Sequence, residues 1–340
     1  MSLKNRIIFL LLVPFIVACT APRAKVESTI VKRPQSTTQP SLGRAISLPS
    51  SSTISQETPP FREHESKYGE TTILEKFKLP KRVRESSGLI KVDNRLWTFN
   101  DSGGRAELYQ ISERNGDIIK TLKIKNARNR DWEDIAYDDN YIYIGDFGNN
   151  RGNRKDLRVY KIPREALKRE KSVRAKVISF RYSDQKEFKS KKNNNNYDCE
   201  AMVAYHGKLY LFLKDWQDNK TRLYKLSTKE GKHIAKYIAT FNTQGMVTGA
   251  TINRELDILL LTTYSKLLDV HVWAFTNYRG NNFFNGSHKR LNLKMPLHAQ
   301  VEGITFKDNY RAYMSSEAFK KYIFRFDSML YELDFSGEFE

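Results

Sequence analysis

Glu200-Ala-Met-Val-Ala-Tyr205, the pair His206-Gly207, Lys208-Leu-Tyr-Leu-Phe-Leu213 and, after a polar break, Arg222-Leu-Tyr-Lys-Leu226 follow one another in one stretch of the chain. Short runs rich in aromatic and large aliphatic residues, broken by Gly, Asn and Asp, encode strands joined by turns. Working outward, the opening of this stretch recurs. Glu85-Ser-Ser-Gly-Leu89, Glu133-Asp-Ile-Ala-Tyr137, Thr248-Gly-Ala-Thr-Ile252 and Glu302-Gly-Ile-Thr-Phe306 each start a similar succession, and four of the five openings begin with Glu. A later apolar run follows in the other units too, as in Glu107-Leu-Tyr-Gln-Ile111 and Met329-Leu-Tyr-Glu-Leu333.

Each unit therefore reads as a four-stranded meander. Fourth strands are expected near Ile118 to Ile124, Val177 to Tyr182, Ala235 to Phe241 and Leu291 to Lys294, whereas the last unit ends at Glu340 without one. Ile73 to Leu79 can supply the missing strand, and an N-terminal strand completing the last blade is how a β-propeller closes its ring. The expected fold is all-β, a five-bladed β-propeller over residues 71–340. The openings lie 48, 67, 48 and 54 residues apart, which fits such a repeat with one insertion between Pro163 and Tyr197. Six blades are the alternative, should that insertion contain a further set of strands.

The 340 residues are 39% hydrophobic and 12% aromatic, too rich in core formers for a disordered chain. The N-terminal part differs from the body. Lys4 and Arg6 precede the apolar run Ile7 to Val17, a charged region and short hydrophobic region of a secretory signal, too short to span a bilayer as a mature helix. The run ends in Ile16-Val-Ala-Cys19, which resembles the bacterial lipobox. That resemblance implies a lipoprotein signal peptide over residues 1–18 and a lipidated Cys19. Thr20, in place of the Asp that retains such lipoproteins at the inner membrane, implies transfer to the outer membrane, with the body on the periplasmic side. From Pro34 to Pro60, 19 of 27 residues are Ser, Thr, Pro or Gln, so residues 19–70 are expected to form a disordered tether.

Cys199 is then the one cysteine left in the body, which excludes an intramolecular disulfide. The formal charge is +19; residues 1–70 hold 9 basic and 5 acidic side chains, leaving 49 and 34, a net +15, for the rest. In an exported protein this points to an anionic envelope component or a protein partner, and away from nucleic acid. A monomer is expected, tied to the membrane through its lipid.

In a propeller the first strand of each blade lines the axis, and the end of the second strand meets the start of the first. Two sets of residues should thus gather at one channel mouth: Glu85, Glu133, Glu200, Thr248 and Glu302 from the openings, and Asp101, Asp146, Lys214-Asp215, Thr263 and Glu317 from the second-strand ends. Hard cations such as Ca2+ take six to eight oxygens from groups of this kind. Glu85, Asp101, Glu133, Asp146, Glu200 and Glu302 are the candidate calcium ligands, and Arg130, Arg151 and Lys214 the candidate ligands for a phosphate or other anion. The competing reading is that the strand-start acids bond to neighbouring backbone and only fix the ring.

Glu85-Ser-Ser-Gly-Leu89, Asn100-Asp-Ser-Gly103, Asp131-Trp-Glu-Asp-Ile135, Gly145-Asp-Phe-Gly-Asn-Asn150 and Asp198-Cys-Glu-Ala-Met202 together resemble the bacterial SdiA-regulated propeller family and its exported relatives over about residues 72–338. The resemblance implies a five-bladed propeller with a bound calcium ion and no established reaction. More distantly the chain is similar to β-propeller phytases, in which channel calcium ions bind phosphate and activate water, although no phytase motif maps residue by residue. The expected function is a binding or scaffolding domain holding calcium at its mouth. The alternatives are a calcium-dependent phosphoesterase, with Glu133, Asp146 and Glu200 on the metal, and carbohydrate binding or hydrolysis, with Trp132, Trp216 and Tyr264 as rim aromatics.

Overall fold

The computed structural model describes residues 68–293, 299–321 and 324–339. The expected signal peptide, Cys19 and nearly all of the expected tether lie outside the described residues. No helix among the described residues is long and apolar enough to cross a membrane.

The chain is all-β. A leading strand β1 (Tyr68–Lys78) precedes sheet one, formed by β2 (Ser86–Val92), β3 (Arg95–Asn100), β4 (Glu107–Ile111) and β5 (Ile118–Ile124). Sheet two holds β6 (Trp132–Tyr137), β7 (Tyr141–Asp146) and β8 (Arg158–Pro163); then come a helical turn α1 (Ala166–Arg169), the two-residue β9 (Ser172–Val173) and β10 (Lys176–Tyr182). Sheet three is β11 (Cys199–Tyr205), β12 (Lys208–Leu213), β13 (Thr221–Ser227) and β14 (Gly231–Phe241), and sheet four is β15 (Met246–Asn253), β16 (Ile258–Tyr264), β17 (Val270–Thr276) and β18 (Ser287–Leu293). Sheet five begins with β19 (Val301–Phe306) and β20 (Arg311–Ser316); a small hairpin of β21 (Phe319–Lys321) and β22 (Phe324–Phe326) leads into β23 (Met329–Asp334).

Within each sheet the strands pair antiparallel in chain order. β10 completes sheet two by pairing with β8. β1 completes sheet five, with Thr72–Lys78 running antiparallel to Asp334–Met329. The segment between Pro163 and Tyr197 therefore supplies sheet edges: β10 for sheet two, and β9, which runs parallel to the end of β5.

The apolar alternation explains the stacking. In β12, Leu209, Leu211 and Leu213 point into one core with residues of sheet two, while Tyr210 and Phe212 point into another with residues of sheet four. A strand buried on both faces needs apolar residues at every position, which is why Lys208–Leu213 reads as a continuous run. The same rule holds around the molecule. Trp97 and Phe99 meet Ile142 and Ile144 between sheets one and two, Leu260 and Val272 meet Ile304 and Met314 between four and five, and Leu330 and Tyr313 meet Leu96 and Tyr109 between five and one. The inter-sheet cores thus return to their start. The first strands do likewise: β2 packs beside β6, β6 beside β11, β11 beside β15, β15 beside β19, and β19 beside β2. This cyclic stacking of twisted sheets is a β-propeller.

At its junction with sheet four the closing strand is held from two sides. Tyr68–Thr71 of β1 runs parallel to Arg290–Leu293 of β18 before the strand crosses to β23. Glu338 accepts the Glu70 N–H at 2.8 Å and pairs with Lys289 at 3.0 Å.

Candidate functional site

All five first strands carry a β-bulge near their start. The register slips between Ser86 and Leu89, Trp132 and Asp134, Cys199 and Ala201, Val247 and Gly249, and Val301 and Gly303. The bulged residues are Ser87 (with Gly88), Glu133, Glu200, Thr248 and Glu302. A bulge bends its strand and re-aims one side chain, and here four of these five, all but Thr248, turn into one cavity of about 170 Å3 on the axis. The next residue faces a neighbouring first strand and is small in sheets one, three, four and five. A Cβ on Gly249 would strike the Glu302 carbonyl, and one on Gly303 the Ser87 carbonyl at 2.5 Å.

In sheet two that position is Asp134, which is fully buried. Its Oδ2 accepts the Met202 N–H of β11 at 2.7 Å and its Oδ1 accepts the Ile135 N–H at 2.8 Å. The ring-fixing role expected of the strand-start glutamates is thus performed by Asp134, with Ser87 Oγ donating to the Glu133 carbonyl and Thr248 Oγ1 to the Val301 carbonyl, each at 2.6 Å.

The second-strand ends bring Asp101, Lys214 and Glu317 to the cavity, completed by Asn150, Trp216, Tyr264 and Gln300. The backbone enforces this: the N–H groups of Asp101, Lys214 and Glu317 donate to the carbonyls of Glu85, Asp198 and Gln300, the residues just before each first strand. Lys214 Nζ lies 3.3 Å from Glu200 and sits 5.0 and 5.3 Å from the ring centres of Trp216 and Tyr264. Trp216 is held by its indole N–H on Asp198 at 2.7 Å.

Five carboxyls therefore face one ammonium. Burial first, and then repulsion from Glu200, Asp101 and other acids, pushes Glu133 well above the ordinary glutamate value. Burial raises Glu200 and Glu302 in the same way, against the opposing pull of Lys214. Burial, with Asp131 and Glu317 adding to it, pushes Asp101 up to about 7. Desolvation opposes the charge on Lys214, but Glu200, Tyr264, Glu302 and Asp198 outweigh it and hold the ammonium above its usual range. Glu302 Oε2 is buried without a hydrogen-bond partner, in a residue only 7% exposed. Asp101, Asp131 and Glu133 each offer a carboxylate oxygen, all within 4.8 Å of one another.

Of the sequence-predicted ligands, Asp101, Glu133, Glu200 and Glu302 are brought together. Glu85 is not. The bulge in sheet one takes up two residues, so Ser87 occupies the axial position and Glu85 lies outside the cavity beside Arg84 at 3.2 Å. Asp146 is also diverted, because buried Arg154 bonds its carboxylate at 2.9 Å and the Gly148 carbonyl at 2.8 Å, stapling the loop 146–154. That loop delivers Asn150 instead. Arg130 pairs with Asp156 at 2.7 Å and Arg151 is exposed outside the cavity, so Lys214 is the one predicted anion ligand that lines it. Thr263 bonds within its own sheet, to the His271 carbonyl, and its neighbour Tyr264 takes its place. Trp132 is core rather than rim, fully buried with its ring edge-on to Phe99 at 5.5 Å. Sequence reasoning left out Asp131, whose signal was its place two residues before the bulged Glu133.

A Cβ on Gly148 would overlap Glu133 Oε1 and approach the Asp131 carboxyl to 2.7 Å. Gly148→Ala should destabilise the protein by about 2 kcal/mol, the usual cost of overpacking, read as a lower urea midpoint at unchanged slope. An unchanged midpoint would show that the loop does not press on these acids.

No protein-family model matches the chain, and no curated protein matches it in sequence. Among solved structures it is similar to a chain of the crystal structure of the mitotic checkpoint complex, at 11% identity and a TM-score of 0.33, covering 72% of this chain and 62% of that one. This chain thus spans less than two thirds of that chain. It is also similar to the structure of U3-55K, at 9% identity and a TM-score of 0.39, covering 77% of this chain and 98% of that one.

Proposed function

We propose that this chain is a lipid-anchored outer-membrane protein whose body is a five-bladed propeller of the SdiA-regulated kind, acting as a binding module that holds Ca2+ at its channel mouth. The observation that carries the metal is the charge imbalance of the cavity: Asp101, Glu133, Glu200, Glu302 and Glu317 against Lys214 alone, with Glu302 Oε2 buried and unpartnered. An all-oxygen donor set suits a hard cation. Asp101, Asp131 and Glu133 would hold it, with Asn150 offering an amide oxygen nearby. Glu200 is engaged by Lys214 and serves to keep that ammonium in the cavity, where a cation and a lysine side by side would orient an anionic group of a ligand. The lipid on Cys19 and the polar segment after it would tether this mouth to the membrane surface. The five-blade count is supported by the return of the inter-sheet cores to their start.

Calorimetric titration of the chelator-treated full-length protein with Ca2+ tests the reading. One-site binding is expected, lost in Glu133→Gln and kept in Glu85→Gln, whose carboxylate lies outside the cavity. Absence of binding in the wild type would leave the acids as structural and redirect the search to ligands that need no metal.

A further inference from the structure

A second feature lies on the outer edge, away from the mouth. β14 is shared between two sheets: Gly231–Ala235 runs parallel to Ile178–Tyr182 of β10, and Lys236–Phe241 runs antiparallel to β13. A groove of about 1010 Å3 follows this fork between sheets two and three. Leu157, Phe180 and Leu226 form its floor, with Ile234, 44% exposed, beside them. Its walls carry Lys155, Arg181, Lys208, Lys225, Lys232 and Lys236. None of these six has a carboxylate within ion-pair distance among the described residues. The one acid on the lining, Asp156, is already bound by Arg130, Arg154 and Arg158 at 2.7, 3.3 and 2.9 Å.

The shape and chemistry of this groove select its ligand. Cations contributed by five separate segments along a furrow match a chain of repeated charges better than a single anion. Five of the six are lysines, compact point charges without the planar fork by which arginine grips carboxylates in pairs. A concave furrow also meets a flat bilayer poorly. We propose that the fork between sheets two and three binds a linear, phosphate-rich polyanion along its length. This site is separate from the mouth cavity and does not depend on the metal.

Binding of labelled linear inorganic polyphosphate to the full-length protein, followed by fluorescence anisotropy over a range of salt concentrations, tests this. Lys225→Gln/Lys232→Gln/Lys236→Gln should weaken binding by roughly 30-fold and lower the slope of log K against log salt by about three. Lys186→Gln/Lys189→Gln/Lys192→Gln removes the same charge outside the groove and should change affinity by less than about threefold. Unchanged melting curves verify that both variants fold. Equal weakening by the two triple variants would overturn the proposal in favour of the general field of a basic body. So would polyglutamate competing as well as polyphosphate, or groove-dependent binding to phosphatidylglycerol vesicles without binding to polyphosphate.

Discussion

Calcium should raise the unfolding temperature of the full-length protein by several degrees at pH 8 and by much less at pH 5. The sign follows from the cavity. Burial and neighbouring acids hold Asp101 up at about 7, and burial with Asp198 beside it holds Asp131 up at about 6, both from an ordinary 3.8. A carboxyl raised in the folded state binds its proton more tightly there than in the unfolded chain. Its stabilising contribution is therefore complete below about pH 4 and is lost as pH rises through 6 and 7, at roughly 1.4 kcal/mol per pH unit for each group in that window. A cation bound there would replace those protons. At a hundredfold excess over Kd it contributes about 2.7 kcal/mol, while at pH 5 protons compete for the same oxygens. The net charge of +19 acts the other way, since repulsion grows as pH falls. Glu133→Gln separates the two effects: it should abolish the calcium response and flatten the rise in stability towards acid. A calcium response that survives in this variant would place the cation elsewhere.

The second large effect is expected at Asp134. Asp134→Ala leaves the Met202 N–H of the adjacent first strand without an acceptor inside the ring and removes a fully buried side chain, a loss of about 3 kcal/mol. Burial holds this carboxyl well above the usual aspartate range in spite of the N–H groups it accepts. Both oxygens accept backbone N–H groups, so Asp134→Asn keeps one acceptor but turns an amide N–H towards a backbone N–H, and it should recover only part of the stability. Urea unfolding of the two variants checks this. Unchanged stability in Asp134→Ala would mean that this side chain does not tie the two strands together.

The architecture was largely legible because stacked sheets bury both faces of their inner strands, and continuous runs such as Lys208–Leu213 announce that burial. The closing strand was legible for the same reason, as an apolar run without a unit of its own. The site was legible in part. Glu133, Glu200 and Glu302 share the strand start and converge, but matching openings by their Glu placed Glu85 two residues away from the true axial residue, Ser87. A two-residue bulge leaves no mark in composition. Asp146 was misassigned because its partner Arg154 lies in a loop eight residues on, where proximity depends on the fold of the loop rather than on strand order. Trp132 was placed on the rim because a tryptophan beside acids resembles a binding platform. Its neighbours Phe99 and Tyr160 come from different sheets, and local sequence does not show them.

The closing strand also sets the order of events when the chain folds. Thr71 bonds the Asp334 carbonyl and Glu70 bonds Glu338, contacts that span 263 and 268 residues. Contacts of such separation form late and slowly. Thr72–Lys78 of the leading strand must wait unpaired until β23 is made, so two β-edges stay open until then. Losing only the final dozen residues would leave those edges permanently open, turning a late interruption of the chain into an aggregating product rather than a shortened, working one.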